Sequence, residues 1–176
     1  VMYGAKLGKA GKYDVVTWAK SGLDIFRALE NAGVRMHFSG MFNVLNHPEP
    51  TIFISNHMST LETMVPVAII EPVKPCIYVI KKELSEYPVF KHLIMACEPI
   101  IVGRENPRED LIKVLSDGAD RLKSGKSIIL FPQKTRSPYF DVKNFNTLGI
   151  KLAQKNNVTV TPMAVLSDAW WNGKII

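Results

Sequence analysis

The sequence is poor in the features that mark several protein classes. It has two cysteines, Cys76 and Cys97, in 176 residues. Two are too few for the disulfide framework of a small secreted domain or for a four-cysteine zinc site. Free thiols in a reducing compartment are the expectation. No apolar run approaches the roughly 18–20 residues that a spanning helix needs. No signal-peptide pattern opens the chain. Val1 stands where an initiator methionine would, which fits a processed product or a piece of a longer protein whose anchor has gone with the rest.

Common catalytic signatures are absent too. Without a Gly-x-Ser-x-Gly elbow, serine hydrolase chemistry of that type is disfavoured. Without His-Glu-x-x-His or Cys-x-x-Cys, so is a zinc enzyme, and no metal is expected. Ser124-Gly125-Lys126-Ser127 resembles the end of a phosphate-binding loop, but Asp120 occupies the position where that loop needs glycine. The segment also precedes a strand instead of a helix, so Gly125 reads as a helix end. His37, His47 and His92 have no nearby acid or ligand pattern and read as surface or packing residues.

What is present is ordinary in bulk and specific in detail. Hydrophobic residues make up 47% and charged residues 22%, which excludes disordered, collagen-like and coiled-coil classes. The length fits one domain, 1–176, that needs no covalent staples. It divides into a helical N-terminal segment, 1–39, and a motif-bearing core, 40–166. Lys and Arg number 22 against 16 Asp and Glu, for a net charge of +6. That favours an anionic partner: phosphate, nucleic acid or an anionic membrane face. No nucleic-acid-binding module is visible, and nucleic acid is not expected.

The apolar spacing predicts a helix over 13–33, ended by Gly33, then a short strand over Val34–Phe38 and a turn-rich stretch over Gly40–Pro50. Further strands are expected at Thr51–Ser55, Cys76–Ile80, Pro99–Val102, Ser127–Phe131 and Val158–Val165. Helices are expected at Thr60–Ile70, interrupted or shortened by Pro66, and at Glu86–Ala96, Asn106–Lys123 and Asn144–Asn156. Asn106-Pro107-Arg108-Glu109 has the residues of a helix start. This alternation predicts an α/β fold: a largely parallel, mixed central sheet flanked by helices.

Three segments carry candidate chemistry. In Ser55-Asn56-His57-Met58-Ser59-Thr60-Leu61-Glu62 a histidine leaves a buried strand and an acid follows five positions later. A carboxylate on one ring nitrogen fixes the tautomer and makes the other nitrogen a base for a hydroxyl proton. The same spacing also reads as a capping box, Ser59 to Glu62, in which Glu62 only caps its own helix. Phe131-Pro132-Gln133-Lys134-Thr135-Arg136-Ser137 follows another buried strand, where α/β sheets place ligands. Its cations, hydroxyls and amide suit a phosphate, although a solvated turn has the same composition. Arg104 lies just past a third strand. The 13–33 helix could rest on lipid or pack on the sheet.

In order and spacing these segments resemble the glycerolipid acyltransferase family, the 1-acyl-sn-glycerol-3-phosphate acyltransferases and their relatives. Asn56-His57 followed by Glu62 resembles the family's Asn-His-x-x-x-x-Asp. Lys82-Glu83-Leu84 with Lys81 resembles its Lys-x-Glu-Leu segment, and Ile100 to Arg104 its apolar strand ending in arginine. Phe131 to Ser137 resembles Phe-Pro-Glu-Gly-Thr-Arg-Ser, and Val160 to Ala164 resembles Val-x-Pro-x-Ala. The likeness runs from about Gly40 to Val165. The departures are Glu62 for Asp, Gln133 for Glu, Lys134 for Gly and Glu98 for Gly.

The resemblance implies transfer of a fatty acyl group from an acyl-CoA or acyl-carrier-protein thioester to a lysophospholipid hydroxyl. The favoured acceptor is 1-acyl-glycerol-3-phosphate, giving phosphatidate. Another lipid acceptor, or an inactive relative that binds lipid or acyl thioester, remains as an alternative. His57 is implied as general base and Glu62 as the group that orients it, with direct attack and no acyl-enzyme. Lys81, Arg104, Gln133, Lys134, Thr135 and Arg136 are implied to bind substrate. No cofactor is implied beyond the thioester co-substrate. The expected place is the cytoplasmic face of an anionic membrane, with the chain peripheral or held by an anchor outside it.

Overall fold

A computed structural model of the chain describes residues 2–87, 91–133 and 135–168. Helices α1 (Met2–Lys9), α2 (Val15–Asn31) and α3 (Met41–Leu45) precede β1 (Ile52–Ser55). A 3-10 turn (Leu61–Thr63) and α4 (Val65–Ile70) lead to β2 (Cys76–Lys81). Helices α5 (Lys82–Glu86) and α6 (Lys91–Ala96) lead to β3 (Ile100–Val102), and α7 (Pro107–Lys123) leads to β4 (Ser127–Leu130). A second 3-10 turn (Val142–Asn144) and α8 (Leu148–Asn156) lead to β5 (Val160–Met163).

The strands form one sheet in the order β3-β2-β4-β1-β5, and every described pairing is parallel. Helices cover both of its faces, so the strands are apolar on both sides. Successive side chains point to opposite faces. Thus Ile52, Ile77, Ile128 and Leu130 pack with Val114 and Leu122 of α7 and Leu152 of α8. Their neighbours Phe53, Cys76, Tyr78 and Ile129 pack with Val67 and Ile70 of α4, Val44 of α3 and Trp18 of α2. Because the strands are parallel, the loops after β1, β2, β3 and β4 all leave from one edge of the sheet, where such folds bind ligands.

The apolar stripe of α2 packs. Trp18 meets Tyr78 edge to face at 5.7 Å. A Cβ on Gly22 would stand 2.5 Å from the Met64 carbonyl oxygen, so only glycine permits this approach to α4. Gly125 ends α7 at φ +84, as the helix-end reading expects. Both cysteines are buried and free. Burial pushes the Cys97 thiol up to about 12 and the Cys76 thiol well above its ordinary value.

Several local expectations are corrected. Val34–Phe38 is not a strand. Its ends serve α2 instead: the Val34 N–H closes on the Leu29 carbonyl, and Phe38 packs on Phe26 at 5.9 Å. The turn-rich 40–50 stretch contains α3. The helix expected from Thr60 is a 3-10 turn followed by α4, with Pro66 in the first turn of α4, where its missing N–H costs nothing. Of the helix expected at Glu86–Ala96, Lys91–Ala96 forms α6 and Glu86 is the last residue of α5, while 88–90 lie outside the described residues. The last helix begins at Leu148, where Asn146 Oδ1 accepts the Leu148 N–H. Helix α1 was not foreseen, since its periodicity is short and rich in glycine and lysine.

Candidate active site

His57 is tied down along its whole peptide. Just before it, Asn56 exchanges two hydrogen bonds with the Val165 backbone, Nδ2 to oxygen at 2.8 Å and N–H to Oδ1 at 2.7 Å. This joins the loop after β1 to the segment after β5. The His57 N–H donates to Gln133 Oε1 at 2.6 Å, and its carbonyl accepts the Ser137 N–H at 2.8 Å. The ring stacks on Phe131 at 4.2 Å with an 18° tilt. Phe131 in turn stacks on Tyr78 at 6.0 Å. The Tyr78 hydroxyl donates to the Glu62 carbonyl at 2.9 Å, and full burial holds it protonated by pushing its pKa well up.

Glu62 Oε2 lies 3.3 Å from His57 Nδ1, at the long end of hydrogen bonding. A carboxylate accepts, so Nδ1 carries the proton and Nε2 presents the basic lone pair. Glu62 is 1% exposed. A carboxylate so buried needs donors around it. The Ser59 N–H reaches both of its oxygens at 3.0 and 2.9 Å, and the Met58 N–H reaches one at 3.2 Å. The Ser59 hydroxyl oxygen accepts the Leu61 N–H at 3.1 Å, completing the cap. Cap and dyad are therefore not alternatives. One carboxylate does both.

The cationic side is built differently. Lys81 ends β2 and is half-buried. Arg104 follows β3 and is exposed, with φ at +67 in the left-handed region. Asp110, in the first turn of α7, accepts the Gly103 N–H at 2.9 Å and the Arg104 N–H at 2.7 Å, which holds that bend. On the loop after β4, Thr135 is exposed and Arg136 half-buried. Lys134 lies outside the described residues. Gln133 is buried, with its oxygen on the His57 peptide.

Every described residue expected at the site leaves the same edge of the sheet, but not at equal range. The loop bearing Thr135 and Arg136 is bonded to His57 itself. Arg104 starts three strand spacings from β1, roughly 14 Å at ~4.8 Å per strand. The sequence reading missed Asn56, Tyr78 and Asp110 as supports. Only an acid in the first turn of α7 hinted at Asp110. His37, His47 and His92 are exposed, as expected.

Glu98, at the position where the resemblance expects glycine, has φ +48. It is held by Lys126 at 2.8 Å and Arg121 at 3.1 Å, and the Lys126 hydrogen bond keeps its carboxyl below the ordinary value. Among the described residues, no three His, Cys, Asp or Glu side chains converge to hold a metal, and no helix is long and apolar enough to cross a membrane.

Known proteins resemble the chain in sequence and in fold. The sequence model of a family described as Acyltransferase matches residues 35–166. The chain is 29% identical over 161 residues to a 1-acyl-sn-glycerol-3-phosphate acyltransferase of Pseudomonas aeruginosa, a match spanning 91% of this chain and 60% of that protein. It is 23% identical over 142 residues to a chloroplastic enzyme of the same description from Arabidopsis thaliana, covering 81% of this chain and 38% of the other. The fold matches the crystal structure of a 1-acyl-sn-glycerophosphate acyltransferase from Thermotoga maritima with a TM-score of 0.64 at 23% identity, over 83% of this chain and 55% of that one. The chain thus spans at most about three-fifths of these relatives.

Proposed function

The chain belongs to the acyltransferase family, and from that premise we propose that it moves a fatty acyl group from an acyl-CoA or acyl-carrier-protein thioester to the hydroxyl of a lysophospholipid. The acceptor we favour is 1-acyl-glycerol-3-phosphate, which would give phosphatidate. The observation that carries this reading is His57, with Nδ1 on the buried Glu62 carboxylate and its peptide bonded at both N–H and C=O.

In this reading, Nε2 takes the acceptor's hydroxyl proton as the oxygen attacks the thioester carbonyl. A C–O bond forms and the C–S bond breaks. The imidazolium, stabilised by Glu62, returns the proton to the departing thiolate. No side chain is acylated. Arg136 and Thr135, on the loop bonded to His57, hold the acceptor's phosphate, with Lys134 beside them in sequence. Arg104 and Lys81 supply positive charge further along the edge. This division follows from the strand order.

The substrate is a lipid, and the surface beside His57 suits a lipid face. Tyr139, Phe140, Val142 and Leu166 are 65–88% exposed. They lie on the two segments joined to the His57 loop through Ser137 and Val165. We therefore place the protein at an anionic membrane surface.

The deciding experiment is thiol release from acyl-CoA and from acyl-carrier protein, with lysophosphatidate and a panel of other lysolipids. Release should require acceptor, and His57→Ala should lower it by about 10²–10⁴-fold, the usual contribution of a positioned base. Release unchanged in His57→Ala would overturn the reading. A better acceptor than lysophosphatidate would revise only the head group.

A further inference from the structure

Gln133 sits where the family resemblance places glutamate, and in the structure its side-chain oxygen is on the His57 main chain. It is 5% exposed, on the loop after β4. Its Oε1 accepts the His57 N–H at 2.6 Å across 76 residues of sequence. With the Ser137 N–H on the His57 carbonyl at 2.8 Å, one loop grips both ends of a single residue's main chain.

A carboxylate and a carboxamide can both accept that N–H. They differ in charge. The groups facing the imidazole are the Glu62 carboxylate from the 3-10 turn, bonded to Nδ1, and the neutral ring of Phe131, with the Tyr78 phenol behind it. Arg136 lies on the same loop as Gln133. A second carboxylate at 133 would put another buried negative charge beside the histidine. Nearby negative charge raises a histidine's pKa, commonly by one unit or more.

We propose that Gln133 is a positioning residue that fixes the His57 main chain, and that its neutral amide leaves His57 with one buried anion beside it instead of two. This rests on the acyl-transfer reading of His57, and it assigns Gln133 to the base instead of to the acceptor. The sign follows from the chemistry. The base works unprotonated, so raising its pKa moves the acid limb of the rate profile to higher pH.

The test uses the whole chain with Gln133→Glu and with Gln133→Met, which is similar in size but offers only a weak thioether acceptor. NMR titration of the His57 ring, assigned by its loss in His57→Ala, should show a midpoint about one unit higher in Gln133→Glu. The acid limb of turnover should shift by the same amount. Gln133→Met should lower kcat by about tenfold, with the acceptor's KM unchanged, as expected when geometry and not binding is lost. An unshifted His57 midpoint in folded Gln133→Glu would overturn the proposal. So would a Gln133→Met variant that raises KM while keeping kcat. If Gln133→Glu fails to fold, the kcat and KM split of Gln133→Met decides. If the unmodified protein transfers no acyl group, the function fails while the titration still reads the effect of Gln133 on His57.

Discussion

The two halves of the candidate site hold their working groups in opposite ways. Around His57 the side chains are buried or half-buried and cross-linked by hydrogen bonds from the loops after β1, β4 and β5. Around Arg104 the backbone is exposed, bent into the left-handed region, and pinned by the single carboxylate of Asp110. A base must keep its nitrogen within hydrogen-bond reach of a hydroxyl, so small displacements are costly. A positive charge attracts an anion over a longer range, so small displacements of a cation cost less.

This contrast can be broken most sharply at Glu62. Glu62→Ala should lower kcat about 10²-fold, since the base loses its orienting partner. It should also reduce unfolding free energy by ~1–3 kcal/mol, because the Ser59 and Met58 N–H groups lose their buried acceptor. Both effects in one variant, read by turnover and by denaturant titration, would mark a residue serving cap and dyad together. Loss of stability with intact turnover would reduce Glu62 to a cap.

On the other side, Arg104→Ala should raise the acceptor's KM about tenfold, because the edge loses a positive charge that attracts an anionic acceptor, and kcat should change little. Asp110→Asn should act in the same direction but more weakly, about threefold in KM, since one amide oxygen replaces two carboxylate acceptors for the Gly103 and Arg104 N–H groups. An Asp110→Asn variant that changes kcat and leaves KM alone would erase the distinction between the two halves.

The smallest effect is expected at Glu98. Glycine there would relieve a left-handed backbone worth roughly 1 kcal/mol and remove two partly exposed ion pairs of about 0–1 kcal/mol each. Glu98→Gly should therefore shift stability by less than about 1 kcal/mol, measured by the denaturant midpoint, and leave turnover as it was. Acid should do part of the same work. The Glu98 carboxyl lies below its ordinary value, so its pairs contribute above the unfolded value and are lost as pH falls through the folded one.

Much of the site was legible because its residues sit at the ends of apolar runs. His57, Arg104 and the 131–137 segment each follow a short buried strand, and parallel strands deliver their following loops to one edge. Asn106-Pro107 announced the start of α7, and Gly125 its end, through local backbone chemistry. Val34–Phe38 failed as a strand because its apolar residues serve α2, which no local pattern reveals. The Asn144–Asn156 boundary failed because Asn144 is held by Asp141 and Asn146 by the Pro132 carbonyl, contacts that helical periodicity does not show.

The sequence by itself determined the α/β alternation, the apolar strands and which loops carry chemistry, since these follow from period, caps and residue type. Only the tertiary structure decided that Glu62 caps and orients at once, that Gln133 serves the histidine's main chain, and that the Arg136 loop touches His57 while Arg104 stands three strands away. Those outcomes depend on strand order and on hydrogen bonds between residues such as His57 and Gln133 or Asn56 and Val165, which are 76 and 109 positions apart. Pairing over such distances is set by how the whole core closes, and no local propensity encodes it.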